Sequence, residues 1–200
     1  MSAMRFIATL ILPVLILSAA AAPPASVPVV QEPPPLEAVS PSQKLDKLFA
    51  QLKRLRDPSA AQGVVAEIWG VWNISGSATV DLMLRSADAA AGKQEYAAAL
   101  DYLDEAIALK PDYAESWNKR ATLHFKTGNY ERSMADIAQV LAREPRHFGA
   151  LSGMAAILED AGRDAAALAI WERVIDLYPA NRDAQGHVRT LSEKLDGNKT

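Results

Sequence analysis

The side chains that could do chemistry in this chain are carboxylates, and the densest group lies near its middle. Paired carboxylates can act as acid and base in hydrolysis. On the polar face of a surface helix, however, such side chains are usually solvated. We therefore predict a solvated cluster, no catalytic residues and a chain that is not an enzyme. The cluster consists of Glu95, Asp101, Asp104 and Glu105.

The three histidines, His124, His147 and His187, lack the spacing of a metal site. A helical zinc site needs two histidines one turn apart, usually beside a glutamate. The chain has no cysteine, which excludes disulfides, thiol catalysis and thiolate ligands. No glycine-rich phosphate loop follows a strand pattern. We predict that the chain has no cofactor and no metal.

The overall charge also limits the class of partner. The formal net charge at neutral pH is −3, whereas binding to nucleic acid requires a clustered basic surface. We therefore predict no nucleic-acid partner.

A fixed period organises the second half of the chain. Pro111, Pro145 and Pro179 lie 34 residues apart. Small and large apolar residues repeat at the same interval, and such a period indicates stacked repeats. The matching sets are Ala87, Ala121 and Ala155; Ala99, Ser133 and Ala167; and Leu103, Ile137 and Trp171.

The period and its residues resemble the tetratricopeptide repeat (TPR), a unit of about 34 residues that forms two antiparallel helices. The family's bulky fourth position is Met83, Trp117 and Leu151. Its small eighth position is the alanine set given above, and Gly128 and Gly162 lie in the turns between helices. The resemblance implies an all-α fold, a right-handed superhelical stack of antiparallel helix pairs (a TPR solenoid) with a C-terminal capping helix. It implies a binding role and no reaction.

The repeat phase divides the chain into segments. The three clear repeats are residues 80–113, 114–147 and 148–181, and residues 182–200 are a capping helix and tail. Residues 42–79 are predicted to form a degenerate repeat helix pair, because Phe49 and Trp69 fall on its bulky positions. The alternative is that residues 42–56, which are basic and amphipathic, form a helix on a membrane surface. The agreement in phase favours the repeat.

The N-terminus has the pattern of a targeting segment. Arg5 precedes a short apolar stretch and a run of alanines, so residues 1–21 are predicted to be a signal peptide that directs export to the periplasm. An uncleaved membrane anchor is the alternative. Residues 22–41 are predicted to be an extended linker, because residues 23–41 contain seven prolines.

A binding groove is predicted on the inner face of the stack. At about 100° per residue, the second, fifth, ninth and twelfth positions of each first helix point away from the core. Carboxylates outnumber cations there, so an apolar anchor near Phe125 with basic flanks would suit this face. The alternative is that these residues are merely solvated and a partner uses the convex face or a loop. The groove residues are Asp81, Leu84, Asp88, Glu115, Asn118, Lys119, Thr122, Phe125, Ser152 and Glu159.

One subtype of the family clamps C-terminal carboxylates with Lys and Asn in its first unit and further cations in its third. Here those positions hold Leu84 and Asp88, then Gly149 and Gly153. Binding of chaperone tails is therefore not predicted. The chain is interpreted as a non-enzymatic adaptor or scaffold of the bacterial cell envelope that binds a peptide or helix of another protein. The alternatives are a membrane-associated envelope assembly factor and a cell-wall enzyme subunit.

Overall fold

The computed structural model describes residues 40–197, so the predicted signal peptide, nearly all of the predicted linker and the last three residues lie outside it. The described part contains nine α-helices and no strand. None of these helices has the length and apolar content needed to cross a membrane. The helices are α1 (Pro41–Leu52), α2 (Pro58–Trp72), α3 (Ala78–Gly92), α4 (Tyr96–Leu109), α5 (Ala114–Lys126), α6 (Tyr130–Arg143), α7 (Phe148–Asp160), α8 (Asp164–Leu177) and α9 (Arg182–Gly197).

Helices α3 to α8 form three antiparallel pairs that stack in sequence, and the predicted all-α solenoid is confirmed. Alanines at the eighth positions, Ala87, Ala121 and Ala155, are almost fully buried. Because these side chains are small, neighbouring helices can approach closely and fill the space with larger residues. Ser133 adds a buried hydrogen bond, since its hydroxyl donates to the carbonyl of Ala121 at 2.8 Å.

The turn inside each helix pair needs one residue whose backbone adopts the left-handed conformation, with a positive φ. Gly128 and Gly162 have φ of 76° and 69°, as predicted for residues that end a helix. The equivalent residue of the first pair is Gln94, which has φ of 63°. A side chain in this conformation is strained, because its Cβ crowds the backbone.

Helix α9 closes the C-terminal end of the stack, as predicted. Asn181 caps it, because its side-chain oxygen accepts from the Ala184 amide at 3.1 Å. One face of α9 buries Ala184 and Leu191, and the remainder is mostly exposed. A terminal helix with a polar outer face is what keeps a solenoid soluble.

Helices α1 and α2, called the N-terminal hairpin below, do form a helix pair. Although residues 42–79 were predicted to be a degenerate repeat, this pair does not pack on the first clear repeat. Its apolar residues share one core with α7, α8 and α9, whereas the core of α3 and α4 includes none of them. Phe148, at the start of α7, packs against Phe49 and Trp72 with ring centroids 6.3 and 5.1 Å apart. The hairpin therefore folds back onto the third repeat.

Polar contacts fix the hairpin in this place. The Arg146 guanidinium donates to Asp46 of α1 at 2.7 Å and lies 4.7 Å from the centre of the Phe49 ring. The Tyr113 hydroxyl donates to the carbonyl of Trp72 at 2.7 Å. The phase of the 34-residue repeat could not predict where the hairpin docks, because the docking depends on the direction that the chain takes after Trp72.

The buried face of α1 also bears on the membrane-surface alternative. The apolar stripe that would enter lipid is packed into the protein, with each member at most 7% exposed. The described α1 therefore presents its basic and polar face to solvent, without an apolar face for a membrane. The stripe consists of Leu45, Leu48, Phe49 and Leu52.

Candidate functional site

Two adjoining cavities lie along α3, α5 and α7, and together they are called the groove. The larger, of about 290 Å³, lies between α3 and α5. The smaller, of about 130 Å³, lies between α5 and α7. Asn118 and Thr122 line both, so the two cavities are continuous across α5.

The larger cavity has an apolar floor and a charged rim. Leu103 and Leu123 are buried beneath it, and the small side chains of Ala87 and Ala91 widen it. At the rim the Lys119 ammonium donates to both carboxylate oxygens of Asp88 at 3.0 Å. An apolar side chain of a partner would be desolvated on this floor, while its backbone would meet the polar rim.

The smaller cavity owes its space to glycine. Gly149 and Gly153 contribute no side chain, and Ile137 and Phe125 supply apolar walls. The Phe125 ring packs on Tyr130 with centroids 5.4 Å apart.

A buried acid lies directly behind the groove. Glu115 is 4% exposed, and its two oxygens accept from the Asn118 amide at 3.1 and 3.2 Å. The same carboxylate lies 3.3 Å from Nε2 of His147, which is fully buried. His147 Nδ1 accepts from the Ala150 amide at 3.0 Å. In the neutral ring Nε2 must therefore carry the proton and donate it to Glu115. The pair fixes the orientation of Asn118 at the junction of the two cavities.

The N-terminal hairpin limits the groove at α7. The Trp69 indole lies against the helix at Gly149, where a Cβ atom would come within 3.1 Å of Cη2. The hairpin thus covers part of the α7 surface that was predicted to face a binding partner. The accessible groove belongs mainly to α3 and α5, and only the edge of α7 contributes to it.

The structure brings six of the ten predicted groove residues to these cavities. Five of them, Asp88, Glu115, Asn118, Lys119 and Thr122, line the larger cavity, and Phe125 lines the smaller one. Asp81, Leu84, Ser152 and Glu159 line neither.

The four others have local roles. Leu84 was expected to face outward, but this is wrong, since it is 6% exposed within the core of α3 and α4. Asp81 accepts from the Ser75 hydroxyl at 2.5 Å and fixes the turn before α3. The Ser152 hydroxyl donates to the carbonyl of Phe148 at 2.9 Å. Glu159 accepts from the Trp171 indole and lies 3.0 Å from His187.

The expected excess of carboxylates is not present at the larger cavity. Its charged residues are two acids and two bases, namely Asp88, Glu115, Lys119 and Lys126. One acid is buried and another is paired. The charge argument for a partner with basic flanks therefore fails, and the apolar floor is what distinguishes this cavity.

Sequence reasoning considered His147 only as a possible metal ligand and missed its role as a helix cap. The signal was its position immediately before α7, where a side-chain acceptor can cap the helix. Histidine rarely does this, so the position alone gave little reason to expect a buried cap. His124 is also buried, at 5% exposed.

The acidic cluster shows no arrangement for catalysis. Asp104 accepts from Arg120 at 2.6 Å, and the same guanidinium binds Asp136 through two hydrogen bonds of 2.9 and 2.7 Å. These two carboxylates raise the pKa of Arg120 above its usual value, with Asp136 the main cause. Glu95, Asp101 and Glu105 are exposed. Across residues 40–197, no group of three or more acidic or histidine side chains could hold a metal ion.

Known proteins resemble the chain in sequence and in fold. The family model for the tetratricopeptide repeat matches residues 84–140 and 118–182. A TPR repeat-containing protein of Rhizobium etli is 61% identical over 161 residues, which are 80% of this chain and 79% of that protein.

Solved structures share the fold at low identity. The first TPR of Spaghetti (RPAP3), bound to the HSP90 peptide SRMEEVD, has a TM-score of 0.56 at 19% identity and covers 59% of this chain and 94% of its own. The Sgt2 TPR domain from Aspergillus fumigatus has a TM-score of 0.55 at 20% identity, covering 62% and 84%. A double mutant of MamA RS-1 has a TM-score of 0.54 at 14% identity, covering 81% and 89%.

Proposed function

Since the chain belongs to the tetratricopeptide repeat family, whose fold is one of protein-interaction modules, we propose that its groove binds a short segment of another protein. In this role the chain is a non-enzymatic adaptor. The observation that supports the proposal most directly is the pair of continuous cavities with a leucine floor and a polar rim.

The geometry suggests how the segment is recognised. An apolar side chain enters the larger cavity over Leu103 and Leu123, and a smaller one enters the cavity beside Phe125. Asn118, which lies between them and is held by Glu115, is placed to hydrogen-bond the backbone of the segment. Anchors of this kind, packed in desolvated pockets, carry most of the affinity of small interfaces.

The RPAP3 domain binds a peptide, which supports a peptide as the ligand of this groove. The recognition of a C-terminal carboxylate, however, is not expected in this chain. The last four residues of that peptide, EEVD, include three acidic ones. The positions used by the family for clamping a carboxylate hold Leu84 and Asp88 here, and Leu84 is buried. We therefore expect an internal or apolar segment as the ligand.

Site-specific photo-crosslinking in cells tests the proposal. A photoreactive residue at Thr122, where the cavities meet, should give a discrete adduct with another protein. The substitution Ala91→Trp in the same chain fills the larger cavity and should remove the adduct. A photoreactive residue at Ala169, exposed on α8, is the matched control. An adduct that also forms at Ala169, or that survives Ala91→Trp, would argue against the groove.

We also propose that the adaptor acts in the cell envelope, on the basis of the apolar N-terminal pattern of residues 1–21. Sequencing the mature N-terminus after fractionation provides the test. A chain in the periplasmic fraction that begins shortly after residue 20 agrees with export and cleavage. Recovery of an intact Met1 in the membrane fraction would favour the anchored assembly factor instead.

A further inference from the structure

A separate cavity of about 410 Å³ lies where the turn between α1 and α2 meets the start of α9. It shares no residue with the groove. Two segments more than a hundred residues apart in sequence form it, so only the folding back of the hairpin creates it. Its lining includes Arg56, Ala180, Arg182, Gln185, Gly186 and Arg189.

The charge of this lining is of one sign. Three guanidinium groups belong to it, and no carboxylate among the described residues does. Arg120 and Arg146, which are partly buried, each bind two carboxylates. Arg182 and Arg189 are exposed, and within residues 40–197 neither makes an ion pair or side-chain hydrogen bond. Like charges collected around one cavity attract an anion.

The acidic side chains nearest in sequence have other partners. Asp57 caps α2, because its carboxylate accepts from the Ala60 amide at 2.8 Å. Asp183 faces His187, with 4.0 Å between Oδ1 and Nε2. Neither lines the cavity.

Two features position the arginines that line this cavity. The Nη1 atom of Arg56 donates to the carbonyls of Lys53 and Leu55 at 2.8 and 3.2 Å, which holds its guanidinium at the end of α1. Arg182 is the first residue of α9. The positive end of that helix therefore lies beside the cavity, although Asn181 already accepts from the Ala184 amide.

Gly186 keeps the cavity open. It lies in the interior of α9, where glycine weakens a helix. A Cβ atom there would meet no atom within 4 Å, so close packing does not explain the glycine. Its lack of a side chain instead leaves space between Arg182 and Arg189.

We propose that this cavity binds an oxyanion of the phosphate type, either free or as the phosphoryl group of a larger molecule. Guanidinium groups bind such oxygens through paired, charge-assisted hydrogen bonds. The cavity offers three of them from two directions. It is also larger than a single phosphate needs, so the phosphate can carry a substituent.

Calorimetric titration of the full chain with inorganic phosphate, at constant ionic strength, tests the site. We expect saturable binding that weakens at least tenfold in Arg182→Gln and in Arg189→Gln. Gly186→Leu keeps all three charges but fills the space, and it should weaken binding to a similar degree. Arg85→Gln, which removes an exposed arginine on α3, is the matched control and should bind as the native chain does.

A second arm separates the two sources of phosphate. Vesicles that contain phosphatidylglycerol are compared with neutral phosphatidylcholine vesicles. Binding to the anionic vesicles that is lost in Arg182→Gln assigns the site to a lipid headgroup, and binding of free phosphate alone assigns it to a soluble ligand. The proposal is overturned if neither probe binds. It is also overturned if Arg182→Gln and Arg189→Gln, shown by circular dichroism to be folded, bind as Arg85→Gln does.

Discussion

The Trp72 indole stacks on the His147 imidazole with ring centroids 4.2 Å apart and an angle of 14° between the planes. Through Nε2, His147 contacts Glu115, which in turn holds Asn118 at the groove. A continuous series of buried contacts therefore joins the N-terminal hairpin to the candidate binding surface. The hairpin supports the groove as well as limiting it.

His147→Ala should lower the free energy of unfolding by about 2 to 4 kcal/mol. The substitution removes the cap of α7, removes the ring under Trp72 and leaves the Glu115 carboxylate buried without its histidine. Urea denaturation followed by circular dichroism measures the loss.

A double-mutant cycle with Glu115→Gln provides the control. A neutral amide is less costly to leave buried than a carboxylate. The double variant should therefore be more stable than the sum of the single losses predicts, by about 1 kcal/mol or more. Strict additivity of the two substitutions would show that the pair does not act as a unit.

Gly149→Ala and Gly153→Ala form a matched pair one turn apart on α7. At Gly149 the new Cβ would lie 3.1 Å from Trp69, and that ring is itself packed against Trp72 and Phe148. We expect a loss of about 1 to 3 kcal/mol, as for overpacking.

At Gly153 the nearest side-chain atom, Cδ1 of Ile137, would be 3.6 Å from the new Cβ, an ordinary contact. Gly153→Ala should therefore stabilise the helix by about 0.5 to 1 kcal/mol. Thermal unfolding of both variants measures the difference. Equal effects at the two positions would mean that Trp69 does not pack on α7 as described.

The repeat period was sufficient to predict the stack, because each repeat contacts its neighbours through residues at fixed phases. Ala87 and Leu103 are buried where the period places them. The same reasoning gave Asn118 and Thr122 as groove residues, since the angular position on a regular helix follows from residue number. It failed for Leu84, which is buried in the core of α3 and α4. Angular position alone does not reveal what a neighbouring helix covers.

The docking of the hairpin was beyond that reasoning. Trp69 had the phase of a bulky repeat residue, and together with Trp72 it packs against Phe148 at the start of α7. The contact between Trp72 and His147 joins residues of different segments, and no period relates them. The arginine cavity of α9 has the same origin, because it also requires the hairpin to fold back.

Gln94→Gly should raise the free energy of unfolding by about 0.5 to 1 kcal/mol. Gln94 occupies the position that is Gly128 in the second repeat and Gly162 in the third, and its φ of 63° strains a residue with a Cβ. The reciprocal variant Gly128→Gln should lower stability by about 1 to 2 kcal/mol. Urea midpoints measure both. A destabilising Gln94→Gly would show that the Gln94 side chain makes a contact that outweighs the strain.

His124 should make the stability of the chain fall as the pH is lowered. Burial is the main cause that lowers the pKa of His124 below its usual value of 6.5; Arg120 and Arg132 lower it further, whereas Asp136 and Asp104 oppose the shift. The unfolded chain therefore takes up a proton that the native chain resists, and stability is lost as the pH falls below about 6.5. His124→Phe removes this titration and keeps an aromatic ring at the position. Between pH 7 and pH 5, the unfolding free energy of the native chain should decrease more than that of His124→Phe, as measured by urea denaturation at each pH. Parallel profiles for the two chains would show that His124 does not contribute to the pH dependence.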